Sequence, residues 1–161
     1  MVVLSPEAQQ FLKHSFAVRT TMSRRKSGGR YTLETTFVWD GRDCIYLSGY
    51  PGTRDWVANM AADPNVTVHV AHGGALYDIP STAHVLHDHE ERMPHLLDFI
   101  GHWAKRGGIT GWPFRIFLVT LRLNRALHLP WWGPFWLARR LFDRMPCVQV
   151  TFMMEPTPHD N

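Results

Sequence analysis

At 161 residues the chain has the length of one domain, and its 45% apolar content is ample for a single core. Charged residues make up only 19% and the net charge is +3, which excludes a long acidic or basic tail. The cations gather in one short cluster without an interleaved aromatic platform, so nucleic acid is not an expected partner.

The first residues, "MVVLSPEAQQFLKH", turn polar too soon for the apolar core of a signal peptide, and a cytoplasmic protein is expected. Ser5-Pro6-Glu7 marks a helix start, with Ser5 as N-cap, Pro6 at the first helical position and Ala8, Phe11 and Leu12 as the apolar stripe. β-Branched residues from Phe16 to Thr21, and alternation from Tyr31 to Trp39, predict two strands; Asp40-Gly41 is the turn and Cys44 to Ser48 the return strand. After a Gly/Pro loop, Trp56, Val57, Met60 and Ala61 have helical spacing, with Asp55 placed to cap the start. Two further strands, Val66–Val70 and Ala75–Leu86, follow Asp63-Pro64.

The chain then changes character. Helices are predicted over Glu90–Lys105, over Phe114–Leu127, and from Pro134 to a stop before Pro146, and Cys147–Met154 is a closing strand. Arg115, Arg122, Arg125 and His128 interrupt the most apolar region, so no segment reaches the ~18 apolar residues of a spanning helix. A last strand returning after helices to an earlier strand set predicts an α+β fold around a small, mostly antiparallel barrel. One domain over residues 1–161 is expected, with a helical insertion at about 90–145. Cys44 and Cys147 lie in apolar stretches without metal-like spacing and read as reduced core residues.

The functional signal sits in "SRRKSGGRYTLETTFVWDGRDCIYLSGY", residues 23–50. Arg24, Arg25 and Lys26, followed by Ser27-Gly28-Gly29-Arg30, form a loop whose glycines let backbone N–H groups turn toward one point while the cations suit phosphate geometry. A solvated basic turn is the plain alternative. A Walker loop is excluded by spacing and by the strands on both sides. Glu34, close to this turn, is expected to point away or to pair with Arg30.

Residues 19–70 resemble the deazaflavin-dependent nitroreductase family, within the flavin and deazaflavin oxidoreductases that share the split β-barrel of pyridoxamine-phosphate oxidases. The matching features run in order: a Thr-rich strand before the Arg25-Lys26-Ser27-Gly28 turn, a strand ending in Ser48, then Trp56, Asn59 and the run from Ala62 to Val68. The resemblance implies a split β-barrel in which Arg24, Arg25, Lys26, Ser27 and Gly28 grip the phosphate and acidic tail of coenzyme F-420. Ser48 and Gly49 would lie near its ring, and Trp56 and Asn59 would support the site from the helix. It also implies hydride transfer to a nitroaromatic, quinone or activated alkene, and a monomer or homodimer. FMN and haem are the alternative cofactors.

Such a reaction needs a donor for the charge that develops on the substrate. Tyr50, two residues after Ser48, is the first candidate, with Tyr77 or His128 as substitutes. Tyr46 reads as core by alternation. No metal site is expected: in "HVLHDHEE" His87 and His89 would share a strand face without His84, and no metal motif accompanies them. Haem would be held through His69, His72 or His128. The segment Trp112–Arg144, with Trp131, Trp132, Phe135 and Trp136 beside Arg139, Arg140 and Arg144, reads as a substrate lid, an amphipathic membrane surface, a cap on the barrel or a dimer contact. The function expected is that of a deazaflavin-dependent oxidoreductase acting on a small hydrophobic substrate. The alternative is a non-catalytic split barrel that binds or carries flavin, deazaflavin, haem or another hydrophobic ligand.

Overall fold

The computed structural model describes residues 2, 4–49, 54–106, 111–130 and 133–159. Helix α1, Pro6–His14, opens the fold: the Ser5 hydroxyl accepts the Ala8 N–H at 3.3 Å, and Ala8 and Leu12 are buried. Strands β1 (Ala17–Ser23), β2 (Arg30–Trp39) and β3 (Cys44–Ser48) follow as an antiparallel meander. The β2–β3 turn closes because Asp40 Oδ1 accepts the N–H groups of Arg42 and Cys44, at 2.8 and 3.2 Å, while Gly41 takes φ +84°, which a side chain would resist.

Helix α2, Asp55–Ala62, precedes β4 (Asn65–His72) and β5 (Ala75–Leu86). Asp55 does not cap α2. It is the first helical residue, Arg54 stands at the N-cap without a side-chain capping bond, and the Asp55 carboxylate is drawn instead to Arg25 at 3.3 Å. Helices α3 (His89–Arg106), α4 (Trp112–Ala126) and α5 (Pro134–Asp143) come next, then β6 (Cys147–Phe152) and a two-residue β7 (Thr157–Pro158).

The strand order is β4-β1-β2-β3-β6-β5, and β5 pairs back to β4, closing a six-stranded barrel; β7 adds to β5. Every pairing is antiparallel. The expected α+β split barrel is therefore present, with β6 filling the gap between β3 and β5 in the register Tyr46↔Gln149 and Ala83↔Val150. β7 was not foreseen.

Two cores flank the sheet, and β3 and β6 contribute side chains to both. Inside the barrel, Val18, Phe37, Ile45, Leu47, Val68, Ile79, Val148 and Val150 pack together with Trp56 and Met60 from α2. Outside it, Leu86 and Cys147 meet Met93, Leu96 and Leu97 of α3, Leu121 of α4, and Ala138 and Phe142 of α5. Tyr46 belongs to this outer layer rather than to the barrel core, with the His95 ring stacked on it at 3.5 Å between centroids. Burial raises the Tyr46 phenol to about 12 and lowers His95, so both are held neutral where α3 meets β3.

Candidate functional site

The basic turn joins β1 to β2. Gly28, at φ +69°, donates its N–H to the Arg24 carbonyl at 2.8 Å, and the Arg24 N–H donates to the Gly29 carbonyl at the same distance. The Gly29 N–H reaches Ser27 Oγ at 3.4 Å, and the Arg25 N–H reaches Asn59 Oδ1 at 3.2 Å. These four amides hold the turn's own shape and dock it on α2. An anion at this turn would accordingly be met by side chains more than by those amides, a correction to the converging N–H groups expected from the glycines.

Beside the turn lies an open cleft of about 630 Å³, within the size range of small-molecule sites. Arg24, Tyr31, Leu33, Glu34 and Thr35 form one wall, and Gly49, Arg54, Asp55, Trp56 and Asn59 the other. Four residues singled out in the sequence thus converge here: Arg24, Gly49, Trp56 and Asn59. Trp56 and Asn59 are both buried, Trp56 in contact with the barrel core and Asn59 tied to the turn. Arg24 lays its guanidinium over the Tyr31 ring, 4.8 Å from the centroid. Both carboxylates of the lining are held by cations, Glu34 by Arg19 at 3.0 Å and Asp55 by Arg25 at 3.3 Å. Their charge is thus largely met, and Arg24 and Arg54 add two further cations to the lining. The pairing of Glu34 with Arg19, its register partner across β1–β2, replaces the expected pairing with Arg30.

Other predicted residues lie elsewhere. Arg25 is turned to Asp55, while Lys26, Ser27 and Gly28 occupy the exposed tip of the turn. Ser48 is buried and its hydroxyl donates to the Pro146 carbonyl at 2.6 Å, tying β3 to the approach of β6. Tyr77 packs against the barrel core at Val70 and Pro158 in register, away from the cleft lining. Tyr50, Trp131 and Trp132 fall outside the described residues. Of the tyrosines described, Tyr31 is the one in the cleft. The period-2 spacing of Tyr31, Leu33 and Thr35 was the signal that could have put it there.

The histidines are dispersed. His84 ends up exposed on β5, His87 follows that strand, and His89 begins α3 with its Nδ1 2.9 Å from Asp143, so His87 and His89 share no strand face. His128 is exposed at the end of α4 with φ +53°, and His72 closes β4. His69 is engaged on both ring nitrogens, Nε2 at 2.6 Å from Thr21 Oγ1 and Nδ1 at 2.7 Å from Asp78. Asp78 also holds His159 Nδ1 at 2.9 Å, which fastens β7 and the segment after it to β5. Two ligands on one zinc ion would stand about 3.3 Å apart. The two separations from Asp78, 2.7 Å to His69 and 2.9 Å to His159, are those of hydrogen bonds. Burial would raise the Asp78 carboxyl, but the hydrogen bonds from His159 and His69 outweigh it and hold Asp78 below its usual value.

A closed six-stranded antiparallel barrel, with a helix between its third and fourth strands and a cleft where that helix meets the basic turn, is a split β-barrel. No protein-family model and no curated protein matches the sequence. Among solved structures, an F-420 reductase superposes with a TM-score of 0.52 at 14% identity, over 92% of this chain and 95% of that one. A candidate 5-nitroimidazole antibiotic resistance protein from Bacteroides thetaiotaomicron gives 0.58 at 10% identity, over 94% and 82%. A protein of the pyridoxinephosphate oxidase family from Clostridium acetobutylicum, related to a general stress protein, gives 0.51 at 13% identity, over 91% and 81%. At these identities the likeness establishes the fold.

Proposed function

We propose that the chain is a split-barrel oxidoreductase that binds reduced coenzyme F-420 in the cleft between β2 and α2 and passes a hydride to a hydrophobic acceptor. The observation that carries this reading is the convergence of Arg24, Gly49, Trp56 and Asn59, expected from the resemblance, on one 630 Å³ cleft. The cleft suits an elongated anionic ligand with a flat ring. Arg24 and Arg54 offer cations to a phosphate or carboxylate tail. At Gly49 an added Cβ would meet nothing within 4 Å, so open space rather than packing surrounds it, and Leu33 and Trp56 supply apolar wall. The fold shared with an F-420 reductase is consistent with this choice of coenzyme.

When bound, the coenzyme supplies a two-electron hydride. The protein's part is to hold the acceptor against the ring, exclude water with Trp56 and Leu33, and meet the charge that develops on the acceptor. Tyr31, which lines the cleft, joins Tyr50 as a candidate for the donor role, and the Arg24 guanidinium over its ring stabilises negative charge nearby.

Commitment of the Ser48 hydroxyl to Pro146 favours a second reading, a split barrel that binds a flavin-type ligand without turning it over. Oxidation of reduced coenzyme, followed by absorbance under nitrogen with a quinone and a nitroaromatic as acceptors, separates the two. Turnover that falls at least tenfold in Tyr31→Phe supports the oxidoreductase. Saturable coenzyme binding with no oxidation by either acceptor supports the carrier.

A further inference from the structure

We infer that the outer face of α4 and α5 docks on the surface of a bilayer containing anionic lipid. On α4 and just beyond it, Trp112, Ile116, Val119, Leu123 and Leu127 are spaced by three or four residues and form one stripe. The stripe is 52–73% exposed, whereas Leu121 on the opposite side is fully buried against α3 and α5. α5 repeats the arrangement, with Trp136 and Leu137 exposed at 51% and 64% while Ala138 and Phe142 face the core. A helix on a protein surface ordinarily turns polar residues outward. These two helices present apolar side chains on both sides.

Charge selects the occupant. From residue 99 to 142 the sequence has seven Lys or Arg and no Asp or Glu, while the rest of the chain has ten cations against 14 acids. Arg115, Arg139 and Arg140 stand exposed beside the apolar stripe, and Arg140 lies over the Trp136 ring at 5.5 Å. Tryptophan and arginine flanking aliphatic side chains match the level where lipid headgroups meet acyl chains. A second copy is a poor occupant. Pairing this face with itself would bring arginines together without a carboxylate of that segment to meet them. Among the described residues no helix is long and apolar enough to cross the membrane, so a contact with the surface is the form inferred. This inference is independent of the coenzyme reading.

The test is flotation of the full chain with phosphatidylcholine vesicles with and without about 30% phosphatidylglycerol. Binding is expected with the anionic vesicles and not with phosphatidylcholine alone, and it should weaken as salt rises. Val119→Ser with Leu123→Ser should reduce the bound fraction at least fivefold with the far-UV circular dichroism unchanged. Arg115→Gln with Arg140→Gln keeps the apolar stripe, and so remains informative should the serine variant misfold; it should reduce binding to a similar degree. Absence of binding to anionic vesicles, or equal binding by folded forms of both variants, overturns the inference. So does sedimentation showing a dimer that Val119→Ser with Leu123→Ser dissociates, since the face would then be covered by its own copy.

Discussion

Arg19 and Glu34 stand opposite each other across the β1–β2 ladder, and Arg19 Nε donates to Glu34 Oε2 at 3.0 Å at the rim of the candidate cleft. The pair allows a carboxylate to border a site whose other charged groups suit an anion. Both side chains are more than half exposed, so the pair itself contributes little to folding, about 0.5 kcal/mol or less. Its effect on ligand affinity is therefore separable from stability. Glu34→Gln should tighten binding of an anionic coenzyme about two- to fivefold, and Arg19→Ala should weaken it to a similar extent, with thermal midpoints nearly unchanged. Fluorescence titration of the two variants measures this, and opposite signs are expected.

Ser48 offers a contrast. Its buried hydroxyl donates to the Pro146 carbonyl at 2.6 Å, so Ser48→Ala leaves that acceptor without its partner and should cost about 1–2 kcal/mol. Denaturant unfolding should show the loss while the dissociation constant for coenzyme stays within about twofold. A variant of unchanged stability that loses turnover would instead return Ser48 to the reacting centre.

The Asp78 carboxyl, hydrogen-bonded to His159 and His69, is held below its ordinary value. A carboxylate depressed in the folded state contributes stability at pH above its unfolded value, and that contribution is lost as pH falls through the folded one. Asp78→Asn should therefore lower stability near pH 6, and the difference from the parent should shrink below about pH 4. Urea unfolding across that range reads it directly.

The two thiols are predicted to be inert. Burial raises Cys44 above its usual value and pushes Cys147 to about 12, and both side chains are almost fully covered. Neither should react with an aromatic disulfide reagent at pH 8 in the folded protein, and both should react in denaturant. Rapid labelling without denaturant would show that the layer over β6 opens.

Much of the fold was legible because its signals are local. Ser5-Pro6 began α1, Asp40-Gly41 turned the chain between β2 and β3, and the interval between Pro134 and Pro146 held α5. The late strand β6 was readable as a closing strand because it alternates, with Val148, Val150 and Phe152 in the barrel core and the half-buried Gln149 and Thr151 between them. β7 was not, since two residues held by a contact between His159 and Asp78 leave no pattern. The cleft was half legible. Its cationic turn and Trp56 follow from sequence order, whereas the position of Tyr31 depends on how α2 sits against β2, and the inward turn of Ser48 depends on the approach of Pro146. Alternation along β2 gives the face that Tyr31 shares with Leu33 and Thr35, but which element covers that face, and where Pro146 approaches Ser48, are long-range relations that one strand does not encode.

The measurement that bears most directly on the central claim is equilibrium titration of the purified chain with coenzyme F-420 and with FMN, read by fluorescence. Saturable binding of the deazaflavin at micromolar concentration or below is expected, weakened at least tenfold, about 1.4 kcal/mol, by Arg24→Ala with Arg54→Ala in a protein that remains folded. No binding of the deazaflavin, or equal affinity in the double variant, would contradict the account.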